Sequence, residues 1–192
     1  RTGQAMFALE ELKRARIDAG QDDLLTSRIA NAEGLAYKTL RDYPGALIAL
    51  SEAQMLARKA GSVEDEVRAQ LNLGVINRTL KRYGQARDHY KFVLTNSTDS
   101  MQIARVQGNV AKLYLDELFP DSAYVLYQRS LSVFQSHGKQ NNALITELNM
   151  GIALFEMGEL ETARAQFLTV LQRVTKVRRR TTCLKYLGQC DY

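Results

Sequence analysis

The chain has 192 residues and a formal net charge of +5 at pH 7. It contains no apolar run of about eighteen residues, which excludes a helix that spans a bilayer, and its charges of both signs are interspersed, so we expect neither membrane insertion nor a nucleic-acid partner. Two prolines and twelve glycines, with abundant Ala, Leu, Glu, Gln, Arg and Lys, predict an essentially all-α chain.

The first predicted helix, at residues 3–20, has the sequence GQAMFALEELKRARIDAG and resembles the later segment 45–61, GALIALSEAQMLARKAG. We interpret it as the second helix of a hairpin whose first helix is missing. Its apolar residues Phe7, Leu9 and Leu12 are expected to pack against a further element. A capping repeat would instead have a polar outer face. We therefore expect flanking repeats or another domain in a longer protein, with a homodimer through uncapped ends as a further possibility.

Four full repeats follow, at 26–61, 65–97, 101–138 and 141–175, and a lone first helix closes the chain at 180–192. Each first helix carries a small residue, and these residues are separated by 40, 37, 40 and 37 positions. The small residues are Gly34, Gly74, Ala111, Gly151 and Gly188. Twelve positions later the four full repeats have Ala46, Ala86, Ala123 and Ala163, and sixteen positions later Leu50, Tyr90, Tyr127 and Phe167.

This order of small, small and large residues has a packing explanation. Two antiparallel helices approach closely only where small side chains meet at the crossing, with a large apolar side chain beside it. A mid-helix glycine costs about 1 kcal/mol relative to alanine, so close approach must offset that loss. Turn signals such as RDYPGA at 41–46 and KRYGQA at 81–86 separate the paired helices. Each unit is therefore predicted to be a helical hairpin.

The pattern resembles tetratricopeptide repeats, whose signature places Leu-Gly and then Tyr in the first helix, followed by Ala and Phe in the second. Leu73-Gly74 and Leu187-Gly188 match the opening pair, and Tyr37 and Tyr114 match the following tyrosine. The units exceed the usual repeat of about 34 residues and are similar to the extended repeats of kinesin light chains, spindle-orientation adaptors and bacterial sensor-regulators. HEAT repeats are the alternative, but they do not explain the Gly-to-Ala spacing.

This resemblance implies a right-handed α-solenoid, one superhelical domain over 1–192, with about four full repeats and half a hairpin at each end. It also implies that the first helices line a concave groove that binds peptides. Helical spacing puts four residues of each first helix on one face. These stripes are Arg28, Ala32, Leu35 and Lys38; Arg68, Asn72, Val75 and Arg78; Arg105, Asn109, Lys112 and Leu115; Ile145, Asn149, Ile152 and Phe155; and Thr182, Tyr186, Gln189 and Tyr192.

Two columns recur in register within these stripes. The asparagines Asn72, Asn109 and Asn149 can donate to and accept from a peptide backbone, and the arginines Arg28, Arg68 and Arg105 can bind carboxylates with two hydrogen bonds. The predicted peptide-binding residues are Arg28, Lys38, Arg68, Asn72, Arg78, Arg105, Asn109, Lys112, Asn149, Ile152 and Phe155. A ligand with acidic and hydrophobic parts would fit. In the alternative interpretation, the arginines pair with Glu33, Asp116 or Glu147, and Asn72 and Asn109 bond between helices.

Other candidate sites have structural interpretations. Tyr37, Tyr90, Tyr114 and Tyr127 sit at consensus core positions, and Cys183 and Cys190, seven apart on one predicted helix, are expected to be buried free thiols. The basic segment Lys176 to Arg180 could contact phosphate or carboxylate, but a solvated interhelical loop is favoured because cations suit the end of the preceding helix.

His89 and His137 have no partner at metal-ligand or triad spacing, and no phosphate-binding motif occurs. We therefore expect no catalysis, no metal and no cofactor. The predicted function is a protein interaction scaffold, and the alternative is the sensory or regulatory domain of a larger signalling enzyme or transcription regulator. A cytoplasmic location is expected.

Overall fold

The computed structural model describes residues 2–190, and all of its regular secondary structure there is α-helical. The chain divides into two compact units, of which unit 1 ends at Thr98 and unit 2 begins at Asp99. The single superhelical domain stays a prediction. Tyr192, one of the residues expected to line the groove, lies outside the described residues, as does Asp191 at the end of the predicted final helix.

Unit 1 contains five helices and unit 2 contains another five within the described residues. Those of unit 1 are α1 (Thr2–Ala19), α2 (Asp23–Leu40), α3 (Tyr43–Lys59), α4 (Val63–Thr79) and α5 (Tyr83–Asn96). Those of unit 2 are α6 (Ser100–Asp116), α7 (Pro120–Ser136), α8 (Gln140–Glu156), α9 (Leu160–Arg173) and α10 (Val177–Cys190). Within each unit, consecutive helices pack against each other as hairpins, which confirms the all-α helical-repeat prediction.

The first helices begin slightly earlier than predicted because the connections before three of them supply N-caps. The Asp22 carboxylate accepts hydrogen bonds from the N–H groups of Leu24 and Leu25 at 3.0 and 2.9 Å, and Ser62 and Asp99 cap α4 and α6. Such caps satisfy N–H groups that have no partner within the helix. Helix α2 therefore begins at Asp23, where 26 was expected.

The small and large residues meet as predicted. A Cβ atom built on Gly34 would lie 2.5 Å from Cγ of Leu50, and one on Gly151 would lie 2.8 Å from Cε1 of Phe167. Tyr90 covers Gly74 in the same way. Each of these glycines is buried, so the spacing of sixteen residues places the large side chain of the second helix over the glycine of the first.

The tyrosine predictions are also confirmed. Tyr90 and Tyr127 are buried, while Tyr37 and Tyr114 are half-buried and pack against the clusters formed around Leu50 and around Tyr127. Both cysteines are free thiols, as expected, and Cys183 is buried, but Cys190 is only half-buried, so the expectation of burial is wrong for Cys190. The tyrosines and cysteines therefore serve the packing of the helices.

The turn inside each hairpin repeats one backbone conformation. Arg41, Lys81, Leu118 and Gly158 follow the first helices at equivalent positions and have φ angles of 63°, 59°, 64° and 82°. A left-handed residue at this point ends the helix and turns the chain back. Three of the four positions hold a residue with a Cβ atom, for which this conformation costs roughly 1–2 kcal/mol, so packing of the hairpin imposes it.

The terminal helices have open faces. On α1, Phe7 is 64% exposed and Leu12 is half-buried, whereas Leu9 is buried within unit 1. On α10, a Cβ atom at Gly188 would meet nothing within 4 Å, unlike the glycines at the equivalent position in other repeats. The expectation that Phe7 and Leu12 need cover agrees with this exposure, and for Leu9 unit 1 supplies the cover.

The prediction that the basic segment is an interhelical loop is wrong for most of its residues. Helix α9 ends at Arg173 and α10 begins at Val177, so Arg178, Arg179 and Arg180 lie in the first turn of α10. Cations at a helix N-terminus oppose the helix dipole. These arginines therefore do not stabilise the helix end on which they lie.

Candidate functional site

In unit 1, two arginines of the predicted column converge on one buried carboxylate. Nε of Arg28 lies 3.1 Å from Oδ2 of Asp65, and Nη1 of Arg68 lies 2.7 Å from Oδ1. The side chain of Asp65 is 3% exposed and also accepts a hydrogen bond of 2.9 Å from the Ser62 hydroxyl. Both carboxylate oxygens are thus satisfied inside unit 1, and the arginines supply the charge that compensates a buried anion.

The internal-pairing alternative is correct for Arg28 and Arg68, but the acid is not one of those considered. Two of the considered acids have other partners, since Glu33 pairs with Arg16 at 3.2 Å and Glu147 pairs with Arg173 at 2.5 Å. Burial raises the pKa of Glu33, and the charge of Arg16 opposes that shift. Contact of Arg28 or Arg68 with a peptide stays a prediction.

The first asparagine of the predicted column also bonds inside unit 1. Nδ2 of Asn72 donates to Oδ1 of Asn31 at 2.9 Å, which joins first helix α4 to first helix α2. This position in the repeat therefore lies where successive first helices meet. For Asn72, the alternative of a bond between helices is confirmed.

In unit 2 the same position has a different environment. Gly108 of α6 and Asn149 of α8 lie 77 positions after Asn31 and Asn72, a shift of two whole repeats. Since glycine has no side chain, Asn149 has no amide to bond where Asn72 has one. The Asn149 and Asn109 side chains are half-buried and make no hydrogen bond within residues 2–190. Within the described residues, these two amides therefore lack the side-chain bond that Asn72 makes.

Arg105, one helical turn before Asn109 on α6, is exposed and has no ion pair or hydrogen bond within the described part of the chain. It is the third member of the arginine column. Unlike Arg68, it has no acid three or four positions before it, and residue 142, which follows it by 37 positions as Asp65 follows Arg28, is an asparagine. An exposed guanidinium that has no ion pair can bind a carboxylate with two parallel hydrogen bonds.

The remaining predicted residues are partly buried. Arg78 and Lys112 are half-buried, as is Lys38, and burial lowers the pKa of the Lys38 ammonium. Ile152 and Phe155 are half-buried and pack against the core cluster that joins α8, α9 and α10. Their exposed parts offer apolar surface on the same helix as Asn149.

Tyr186 of α10 continues this apolar region. Its ring lies 5.2 Å from the Phe155 ring in an edge-to-face arrangement and 5.2 Å from the Phe167 ring in a stacked one. Burial is the main cause that raises the pKa of the Tyr186 hydroxyl. The tyrosine thus links the predicted groove surface of α8 to the buried ring that covers Gly151.

Sequence reasoning missed Asp65 and Asn31. Asp65 had a local signal, because it precedes Arg68 by three residues and such pairs face each other on a helix. Asn31 had none, since its partner is 41 positions away in the sequence. Contacts between repeats depend on tertiary register, and side-chain type alone does not reveal them.

The described residues contain neither a candidate metal site nor a candidate membrane-spanning helix. Within 2–190, no group of three or more His, Cys, Asp or Glu side chains is arranged to hold a metal ion. No helix in that range has the combination of length and apolar character needed to cross a membrane.

No family model matches the sequence, and no curated protein matches it significantly. Solved structures do match. BtubC (BKLC) from P. vanneervenii has a TM-score of 0.72 and 22% identity over 86% of this chain and 69% of its own. RapI in its apo form has a TM-score of 0.75 and 12% identity over 94% of this chain and 53% of its own, so this chain spans about half of RapI.

YrrB, described as a tetratricopeptide-repeat protein with an unusual peptide-binding site, has a TM-score of 0.57 and 16% identity over 95% of this chain and 91% of its own. At these identities the likeness concerns the fold. The fold of this chain is that of tetratricopeptide-type helical repeats, which confirms the resemblance drawn from the spacing of small and large residues.

Proposed function

We propose that this chain, with its tetratricopeptide-type fold, is a non-catalytic protein interaction scaffold that binds an extended peptide segment of a partner on the first helices of unit 2. The observation that carries the proposal is the pair of amides at Asn109 and Asn149. They occupy the same repeat position on successive first helices and have no hydrogen-bond partner within residues 2–190. A half-buried amide can exchange its hydrogen bonds to water for bonds to the N–H and C=O groups of a ligand's backbone.

The surroundings of the two amides define the ligand further. Arg105 supplies an exposed cation one turn before Asn109, and Ile152 and Phe155 supply apolar surface beside Asn149. A segment with a carboxylate near one end and apolar side chains near the other complements this arrangement. In unit 1, the equivalent arginines and the equivalent asparagine already bond internally, so unit 2 is the better candidate for the peptide contact.

Peptide-library selection tests the proposal directly. Peptides selected on the 192-residue chain are measured by fluorescence anisotropy against the double variant N109A/N149A. We expect the dissociation constant to rise about tenfold or more, since each lost amide contact contributes about 1 kcal/mol. The control Q128A/Q172A removes two exposed amides from second helices α7 and α9 and should leave binding unchanged. Equal loss in both double variants, or no loss in the first, would refute the amide contact.

A further inference from the structure

One edge of unit 2 concentrates positive charge. Lys139 lies in the connection between α7 and α8, and Lys176 in the connection between α9 and α10. Arg178, Arg179 and Arg180 follow in the first turn of α10. We call these five cations the basic edge. They belong to the ends of the hairpins, away from the mid-helix positions of Asn109 and Asn149.

Side-chain contacts show that the two connections are neighbours. Nη1 of Arg179 donates to Oδ1 of Asn141 in the first turn of α8 at 2.7 Å, so the first turns of α8 and α10 lie side by side. Nη1 of Arg180 approaches the carbonyl oxygen of Leu171 at 3.4 Å, which ties it to the last turn of α9. The cations therefore form one local patch.

The elements of this edge supply almost no counter-charge. The sequence has no Asp or Glu in 122–146 or in 162–190. Of the four acids between these stretches, Glu147 is buried and paired with Arg173. The other three, Glu156, Glu159 and Glu161, lie at the far end of α8 around its connection to α9. Asp99, which precedes α6, accepts the capping hydrogen bond from Met101. Within the described residues, Lys176 and Arg178 are exposed and make no side-chain hydrogen bond or ion pair.

This charge has no role in stabilising the helix on which most of it lies. Cations in the first turn of α10 repel the positive end of its dipole, and neighbouring like charges repel one another. An anionic ligand reverses both effects. Arginine also binds carboxylates with a planar, two-pronged geometry.

We propose that the basic edge is a second docking surface, for an acidic segment of a partner polypeptide. The side chain of Val177, 78% exposed, lies between Lys176 and Arg178 in the sequence. An acidic segment with an apolar side chain would cover it. Base stacking would need exposed aromatic rings. Residues 133–146 and 170–181 contain no Tyr or Trp, and their one Phe, Phe134, is 4% exposed. Their one histidine, the exposed His137, already has partners for both ring nitrogens in Val133 and Ser100. These features favour a peptide over a nucleic acid.

The test uses the full 192-residue chain and a fluorescein-labelled peptide in which glutamates alternate with leucines. The variant K176E/R178E reverses two exposed charges of the edge. We expect its dissociation constant for the peptide to be about tenfold or more higher than that of the wild type. The control K91E/R129E makes the same change in net charge at exposed helix positions elsewhere and should shift the constant less than about twofold.

Measurements on the unmodified chain keep the proposal testable if K176E/R178E does not fold. The same peptide with glutamines in place of glutamates should bind about tenfold or more weakly, and added salt should weaken only the glutamate peptide. Equal binding of both peptides, equal loss in the two double variants, or a single-stranded oligonucleotide that displaces the peptide at lower concentration would each overturn it. The proposed first-helix surface also complements acidic and apolar side chains, so N109A/N149A is titrated with the same peptide in parallel. A loss of binding in N109A/N149A with none in K176E/R178E would assign the peptide to the first-helix surface and overturn the basic edge.

Discussion

The ring of Tyr90 lies over Gly74, in the space that a Cβ atom at residue 74 would occupy. The glycine is on first helix α4 and the tyrosine on second helix α5, and both are buried. Because an aromatic ring is rigid and surrounded by the core, it cannot move aside at low cost. This contact explains why a helix of unit 1 tolerates a glycine in its interior.

Replacing Gly74 with alanine should therefore destabilise the chain by about 1–3 kcal/mol, the usual cost of overpacking a core. Urea unfolding followed by circular dichroism measures the change. The matched control is G188A, at the equivalent repeat position on α10, where a Cβ atom meets nothing within 4 Å. That substitution should stabilise α10 by about 0.5–1 kcal/mol through helix propensity. Equal free energies of unfolding for the two variants would contradict the packing account.

The buried carboxylate of Asp65 gives a second prediction. Replacing Asp65 with alanine removes the acceptor shared by Arg28, Arg68 and Ser62, and we expect a loss of about 1–3 kcal/mol. This loss of stability is smaller than the loss expected on breaking a fully buried ion pair, because both arginines are partly exposed and can be solvated. Thermal and urea unfolding measure it.

The control for this prediction is E64Q. Glu64 pairs with the same Arg68, but its side chain is 69% exposed, so the substitution should change stability by no more than about 0.5 kcal/mol. If D65A were as mild as E64Q, the convergence of the two arginines on Asp65 would have no energetic importance.

Asn72 and Asn149 are expected to contribute differently to the stability of the chain. Replacing Asn72 with alanine leaves Oδ1 of Asn31 without its donor and should cost about 1 kcal/mol of stability. Replacing Asn149 with alanine removes no hydrogen bond within residues 2–190 and should change stability by less than about 0.5 kcal/mol. Parallel urea titrations of the two variants decide the matter, and a larger loss for N149A than for N72A would be the contrary result.

The raised pKa of Glu33 predicts a specific dependence of stability on pH. Burial is the main cause of the shift above the reference value of 4.5, so the folded chain binds this proton more tightly than the unfolded chain does. The contribution of Glu33 to stability is then fully present below 4.5 and is lost as the pH rises through the higher pKa of the folded state. The free energy of unfolding of E33Q should therefore rise relative to that of the wild type as the pH increases from about 4 to about 7.

Urea unfolding of E33Q and wild type across this pH range measures the difference. The variant E161Q, which removes an exposed carboxylate of α9, controls for the general effect of one fewer acid. A relative free energy of E33Q that fell with increasing pH would mean that the pairing with Arg16 outweighs burial.

Much of the fold could be predicted from spacing alone. Gly34 and Leu50, like Gly151 and Phe167, are sixteen residues apart within one hairpin, and a short turn leaves few ways for two such helices to pack. The helix ends were predicted less accurately. N-caps such as Asp22 depend on side-chain hydrogen bonds, and the start of α10 depends on the packing of a short connection.

The partners of the polar columns could not be predicted in the same way. Arg28 has no acid three or four positions away on α2, and its partner Asp65 lies 37 positions later on α4, so only the register between repeats selected it. Likewise, Asn72 and Asn149 are identical in type and repeat position, yet the residue 41 positions earlier is Asn31 for the first and Gly108 for the second, and only Asn72 bonds to it.

The sequence by itself determined the hairpin repeat, because the distance from a small residue to a large one is short along the chain and has one steric solution. The tertiary structure decided which polar groups are already bonded and which are available. Those contacts join residues about forty positions apart, as the 41-residue separation of Asn31 and Asn72 shows, and hydrogen bonds and ion pairs depend on distances that pattern alone does not set.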